Sequence, residues 1–154
     1  LMLPYAMAIV ALVLVARRAA YPQAQLGRMA RLESVQNATD QARAVARTLT
    51  GKPTRYAALP WFWSDIGALK LQIAGLSQDA DEAIAARRAD GSLQSVWRLA
   101  HGTLVAVETL GSAGEHMLAR RLIAEGLTPP RETMASGDMA ALKDFYASAR
   151  VEAA

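Results

Sequence analysis

Pro60-Trp61-Phe62-Trp63-Ser64-Asp65 places two of the chain's three tryptophans and one of its two phenylalanines in successive positions. Neighbouring side chains diverge around a helix and alternate across a strand, so three consecutive rings cannot share one buried face. At least one ring must face something other than the local core. Two uses stay open. The rings plug the joint between a helix and a sheet, or one of them stacks beside a flat cofactor or substrate. On spacing alone the plug is the plainer reading. A second candidate is Glu33-Ser34-Val35-Gln36, where a helical pattern begins. Backbone N–H groups at such a helix start can stabilise an anion or a polarised ring oxygen. The plain alternatives are an ordinary cap for Ser34, a salt bridge to Arg31 for Glu33, and a turn or cap for Asp65.

Other chemistry is narrowly bounded. The chain has no cysteine, which excludes disulfides, thiolate metal sites and thiol catalysis. His101 and His116 each stand apart from any His/Asp/Glu cluster of metal-ligand spacing, and both read as surface or turn residues. Neither a Gly-x-Gly-x-x-Gly or phosphate-binding loop nor a Gly-x-Ser-x-Gly elbow occurs in the sequence. No catalytic residue and no metal ligand is therefore assigned. Net charge is +3, from arginines scattered among carboxylates rather than from a basic block. That pattern does not suit a nucleic-acid arm, and a mixed solvated surface is its plain meaning. A face that docks an acidic protein is compatible with it.

Several elements must position these residues. Val35, Ala38, Ala42, Val45, Ala46 and Leu49 recur at helical spacing, with Ser34 as N-cap and Gly51 as the stop. This stripe is mostly alanine, so the helix is expected to lean on a larger layer. After an extended connection over 54–60 and the aromatic run come four alternating segments, at 69–74, 83–88, 93–99 and 104–109. The breaks Asp90-Gly91 and His101-Gly102 are hairpin signals. Ser112-Ala113-Gly114-Glu115 has the capping-box form, with Glu115 expected to reach back to the helix start over 116–125. Thr128-Pro129-Pro130 breaks the chain, and a weak last helix is expected over 138–149. The fold class is α+β, with an N-terminal helical arm, a small antiparallel β-meander and a C-terminal helix. Leu1–Ala16 is almost wholly apolar, yet shorter than the roughly 18–20 residues a spanning helix needs.

Arg31-Leu32-Glu33-Ser34-Val35-Gln36-Asn37-Ala38, Gln41-Ala42, Gly51, Leu59-Pro60-Trp61-Phe62-Trp63-Ser64-Asp65 and Leu71-Gln72-Ile73-Ala74-Gly75 occur in that order. Ser95-Val96-Trp97-Arg98, Leu104-Val105-Ala106-Val107 and Glu115-His116-Met117-Leu118-Ala119-Arg120-Arg121-Leu122 follow. From about Tyr21 to about Lys143 the chain resembles the C-terminal part of bacterial NAD(P)H-dependent ferredoxin reductases. These are FAD flavoproteins related to rubredoxin reductases. The resemblance implies residues 19–56 as a remnant of the FAD-binding domain, 57–143 as the reductase C-terminal domain and 144–154 as a tail. It implies that Glu33, Ser34, Val35 and Gln36 approach the flavin's pyrimidine end. It further implies that Trp61, Phe62 and Trp63 line the isoalloxazine, with Trp63 nearest the ring or the incoming nicotinamide. The implied partners are a ferredoxin or rubredoxin and the remaining FAD and NAD domains of the same enzyme, in the cytoplasm.

The departures from the family lie at the N-terminus. Where the family carries an Ala-x-Gly-Asp flavin motif, this chain has Ala16-Arg17-Arg18 with no Asp for the ribityl chain. Residues 1–18 look unlike the family, which suggests a truncated or frame-shifted piece of such a reductase. The expected function is thus the C-terminal part of a reductase that carries electrons from NAD(P)H through FAD to an iron–sulfur or rubredoxin acceptor. The alternative is a non-catalytic α+β docking or dimerisation module without a cofactor.

Overall fold

A computed structural model of the chain describes residues 32–152, except for the side chains of Ile66 and Glu152. The expectations for Leu1–Ala16 and for Arg31 lie outside those residues. The chain forms two units, which divide between Ala58 and Leu59.

In the first unit the helix α1 runs Val35–Leu49. Ser34 caps it as the sequence predicts, its Oγ accepting the N–H of Asn37 at 3.1 Å. The buried Asn37 side chain then ties three segments together. It donates to the Leu32 carbonyl at 2.8 Å and accepts from Gln41 at 2.9 Å and from the Tyr56 hydroxyl at 2.7 Å. Gly51, at φ 79°, stops the helix in the left-handed region that glycine tolerates best. Most of the alanine-rich stripe is exposed: Val35 and Leu49, at its two ends, keep 66% and 68% of their surface, and Val45 between them is half-buried. What this unit buries on α1 is polar, Gln36 and Asn37.

The second unit is a five-stranded antiparallel sheet with helices on one face. Its strands are β1 (Trp61–Ile66), β2 (Leu69–Gly75), β3 (Glu82–Arg87), β4 (Leu93–Ala100) and β5 (Thr103–Leu110), and their order is β1-β2-β5-β4-β3. The architecture is the expected α+β one, with two refinements. The aromatic run is itself a strand, at the sheet's edge. The strands β3, β4 and β5 form the meander, while β2 joins from the other side by pairing with β5. The His101-Gly102 hairpin forms as predicted, with both residues at positive φ, 50° and 80°.

Three helices follow: α2 (Ala113–Ala124), α3 (Arg131–Ser136) and α4 (Met139–Glu152). The short α3 has no counterpart in the sequence reading; it starts directly after Pro130, whose fixed φ suits a helix start. Packing joins α2 to β5 and β2, α3 to β3, and α4 to α2 and α3. The core lies in that layer, where Trp97, Leu99, Leu104 and Val107 of the sheet meet Leu118, Leu122, Met134 and Leu142.

The capping box does not form. The Ser112 side chain makes no cap hydrogen bond, and Glu115, fully buried, points across to the sheet. Its carboxylate accepts from Ser95 Oγ at 2.5 Å and from Gln94 Nε2 at 3.1 Å. Charge-assisted bonds to cross-layer donors outweigh a single local cap bond once the helix is pressed onto the sheet.

Gly75 closes β2 at φ 77° with its α-carbon against the backbone of Val105 and Ala106, so a side chain there would collide with the Val105 carbonyl. Gly75→Ala is expected to destabilise the chain by more than about 2 kcal/mol, since strain and overlap add. Urea unfolding followed by circular dichroism measures the loss.

Candidate functional site

The pleat answers the question posed by the aromatic triplet. Side chains alternate along β1, so Trp61 and Trp63 fall on one face and Phe62 on the other. The registers extend each tryptophan into a row across the sheet. Trp61 lies in line with Ala74, Val107, Trp97 and Ile84, and Trp63 with Gln72, Thr109, Ser95 and Ala86. The middle of both rows is core: Ala74, Val107 and Trp97 are buried, as are Thr109 and Ser95. The two indoles are the outer ends of these rows, at an edge strand.

At that edge the indoles stack on each other, with ring centroids 5.3 Å apart and planes 30° apart. Trp61 is half-buried, whereas Trp63 keeps 40% of its surface. Helix α2 meets Trp61 from the core side. The His116 ring lies 5.9 Å from Trp61 at 59°, and the Arg120 guanidinium carbon stands 4.6 Å from its ring centroid. That arrangement is a cation–π contact over the inner indole. Beyond the pair, an exposed ion pair joins Asp65 and Lys70 at 3.2 Å across the β1–β2 hairpin. Asp65 is therefore a strand residue, not the turn or cap expected from sequence.

His116 is not the surface or turn histidine of the sequence reading: it is 1% exposed. It sits on the strip of α2 that also buries Ala119, while the adjacent strip buries Glu115, Leu118 and Leu122. Its spacing from Ala119 is the one available signal, and polarity hides it. Neither ring nitrogen has a hydrogen-bond partner. Burial, aided by the Arg120 charge, lowers its pKa from 6.5 to about 4. His101 does lie in a turn, where it pairs with Asp81 at 3.0 Å.

Glu33, Ser34, Val35 and Gln36 belong to the first unit and Trp61, Phe62 and Trp63 to the second. Around α1 the donor set suits an electron-rich group: no acidic residue occupies its first turn, so the positive end of the helix is not neutralised from within. Glu33, just before the cap, is exposed. The exposed plane of Trp63 suits a flat aromatic ring in the same general way. Each unit thus carries, by itself, a feature suited to a flat or electron-rich ligand, and among the described residues there is no glycine-rich phosphate cradle. The first unit also carries an open depression of about 300 Å³ that the sequence reading missed. Arg43, Arg47 and Arg55 line it, with Tyr56 and a single carboxylate, Asp40, paired to Arg43 at 3.3 Å. Its residues come from the helix and from the extended segment after it, so no local pattern announces it.

The buried histidine has a consequence for stability. The unfolded chain takes up a proton at about pH 6.5 and the folded chain at about 4, so stability is full above 6.5 and declines as the pH falls between them. By pH 4 the loss from this one group is on the order of 3 kcal/mol. His116→Phe is expected to flatten that part of the pH profile, measured by urea unfolding at a series of pH values.

Residues 61–146 match the Reductase C-terminal family. Rhodocoxin reductase of Rhodococcus erythropolis is 40% identical over 120 residues, which is 78% of this chain and 28% of that protein. Putidaredoxin reductase of Pseudomonas putida is 36% identical over 129 residues, covering 81% of this chain and 29% of that protein. Among solved structures, the ferredoxin reductase for the CYP199A2 system from Rhodopseudomonas palustris aligns with a TM-score of 0.69 at 38% identity, over 78% of this chain and 30% of that one. The covalent putidaredoxin reductase–putidaredoxin complex aligns with a TM-score of 0.70 at 34% identity, over 80% and 29%. The chain thus spans under a third of the length of these relatives. With its sheet, its aromatic edge strand and its helical layer as far as the first half of α4 inside the matched region, the chain belongs to the Reductase C-terminal family.

Proposed function

We propose that this chain is the C-terminal part of an FAD-dependent, NAD(P)H-oxidising ferredoxin reductase, and that Trp61 and Trp63 contribute a wall beside its flavin. One observation carries the reading: Trp63 stacks on an anchored partner yet leaves 40% of its surface open, at the edge strand that begins the family match. A plain core plug would close that surface. When bound, the flavin supplies hydride acceptance from NAD(P)H and electron delivery to an iron–sulfur acceptor. The chain's residues exclude water from one side of the site and hold its geometry. In this reading Phe62, on the far face of β1, anchors the strand, and residues 57–143 act as the reductase's C-terminal domain.

The segment from Glu33 to Gln36 contributes in the same reading as part of 19–56, the remnant of the FAD-binding domain. There the N-terminus of α1 places positive potential at the flavin's pyrimidine end, where negative charge develops on reduction. The acceptor is a ferredoxin or a rubredoxin. The depression lined by Arg43, Arg47 and Arg55 supports an acidic one, since three guanidinium groups face a single carboxylate there.

Replacing Trp63 with Ala is expected to shift the flavin absorbance and slow turnover in the complete enzyme while this chain's sheet stays folded by circular dichroism. Loss of the fold on that change restores the plug reading. Purified alone, the 154-residue chain is expected to be colourless. Stoichiometric yellow colour contradicts an incomplete site. A colourless chain joined to a complete enzyme unaffected at Trp63 favours a non-catalytic docking module. The double change Arg43→Glu with Arg47→Glu is expected to lower the association rate with an acidic ferredoxin by about tenfold or more at low salt, measured by stopped flow.

A further inference from the structure

Two side chains of α2, four positions apart, meet the inner indole. Positions i and i+4 project from one strip of a helix. His116 contributes a ring tilted against Trp61, and Arg120 contributes its guanidinium over the Trp61 plane. Neither is fully occupied elsewhere. Both nitrogens of His116 lack a hydrogen-bond partner despite complete burial. Arg120 reaches only the Met117 sulfur, at 3.8 Å, and among the described residues no carboxylate pairs with it. A leucine would fill the histidine's place without leaving two polar atoms unsatisfied, and a neutral side chain would cover the indole without a buried-side charge. What these two residues share is Trp61.

We propose that His116 and Arg120 are positioning residues, which hold the plane of Trp61 and, through the 5.3 Å stack, set the plane of Trp63. The orientation of the exposed ring is then set from α2 and not from β1 alone. A lone indole at an edge strand rotates among its staggered rotamers. An indole stacked on a partner that is itself pinned by a cation and a ring does not. The use of this device rests on the flavin-wall reading above, but the device itself is present in the chain without flavin.

Two stacked indoles couple their transitions, which gives an exciton-split circular dichroism band. Trp63→Phe assigns that band in the 154-residue chain, because it removes one indole of the pair and keeps an aromatic ring in its place. Arg120→Met keeps the length and apolar stem of the side chain and removes the cation. It is expected to lower the ratio of stacked to unstacked pairs by about two- to fivefold, the usual worth of an exposed cation–π contact. Arg120→Lys is expected to restore most of the band, since the cation returns. His116→Leu is expected to weaken the band while the helical signal at α2 persists. A residue that merely fills space is replaced equally well by Met or Leu, so unchanged bands in Arg120→Met and His116→Leu overturn the proposal. No flavin enters this experiment, so its failure leaves the Trp63 flavin test standing, and the reverse also holds.

Discussion

A carboxylate without exposed surface has to be met by donors, and the place where Glu115 finds them holds the helical layer on the sheet. Ser95 Oγ donates to it at 2.5 Å and Gln94 Nε2 at 3.1 Å, both from β4. Gln94 reaches on to the Gly137 carbonyl at 2.9 Å, between α3 and α4. The indole N–H of Trp97, the largest buried side chain, donates in turn to Ser95 Oγ at 3.1 Å. One carboxylate thus links α2, β4 and the α3–α4 turn. A network of this kind is specific because it is unforgiving: each buried polar atom fits one arrangement of the three elements. The apolar core around Leu118, Leu122, Met134 and Leu142 supplies the bulk of the burial but tolerates sliding far better.

Fixing α2 in that way decides what happens one strand beyond the core. His116 follows Glu115 directly, and Arg120 lies a turn further on. Pinning Glu115 to Ser95 leaves little freedom for the ring and the guanidinium that meet Trp61. The rows that begin at Trp61 and Trp63 also run through Ala74 and Gln72 to Val107, Thr109, Trp97 and Ser95. Helix and sheet therefore position the aromatic edge from the same network. The first unit is organised differently: around Asn37, whose single side chain gathers Leu32, Gln41 and Tyr56 about the start of α1.

Much of this was legible in the residues. The stripe from Val35 to Leu49 and the cap at Ser34 marked α1, and alternation marked β2, β4 and β5, because each signal is carried within one element. The resemblance carried by 59–65 and 71–75 pointed to the reductase family, and the match over 61–146 agrees. What stayed hidden depended on another segment. The Ser112–Glu115 pattern reads as a local cap, and only the arrival of β4 offers Glu115 better donors. A histidine counts as polar in any pattern, so His116 looked like a surface residue until Trp61 and the sheet closed over it.

By itself the sequence determined the α+β class, the helix start at Ser34, the hairpin at His101-Gly102 and the fact that three successive rings cannot share a face. Each of these follows from periodicity, capping or backbone sterics acting within a few residues. Only the tertiary structure decided which rings pair. The pleat of β1 puts Trp61 with Trp63 and sends Phe62 to the other face, and pairing with β2 alone sets where those faces lie. Likewise, the insertion of β2 beside β5 and the depression lined by Arg43, Arg47 and Arg55 arise where separate segments meet in space. The physical reason is common to all three: an edge, a row or a cleft is a property of neighbours in space, and a local pattern contains only neighbours along the chain.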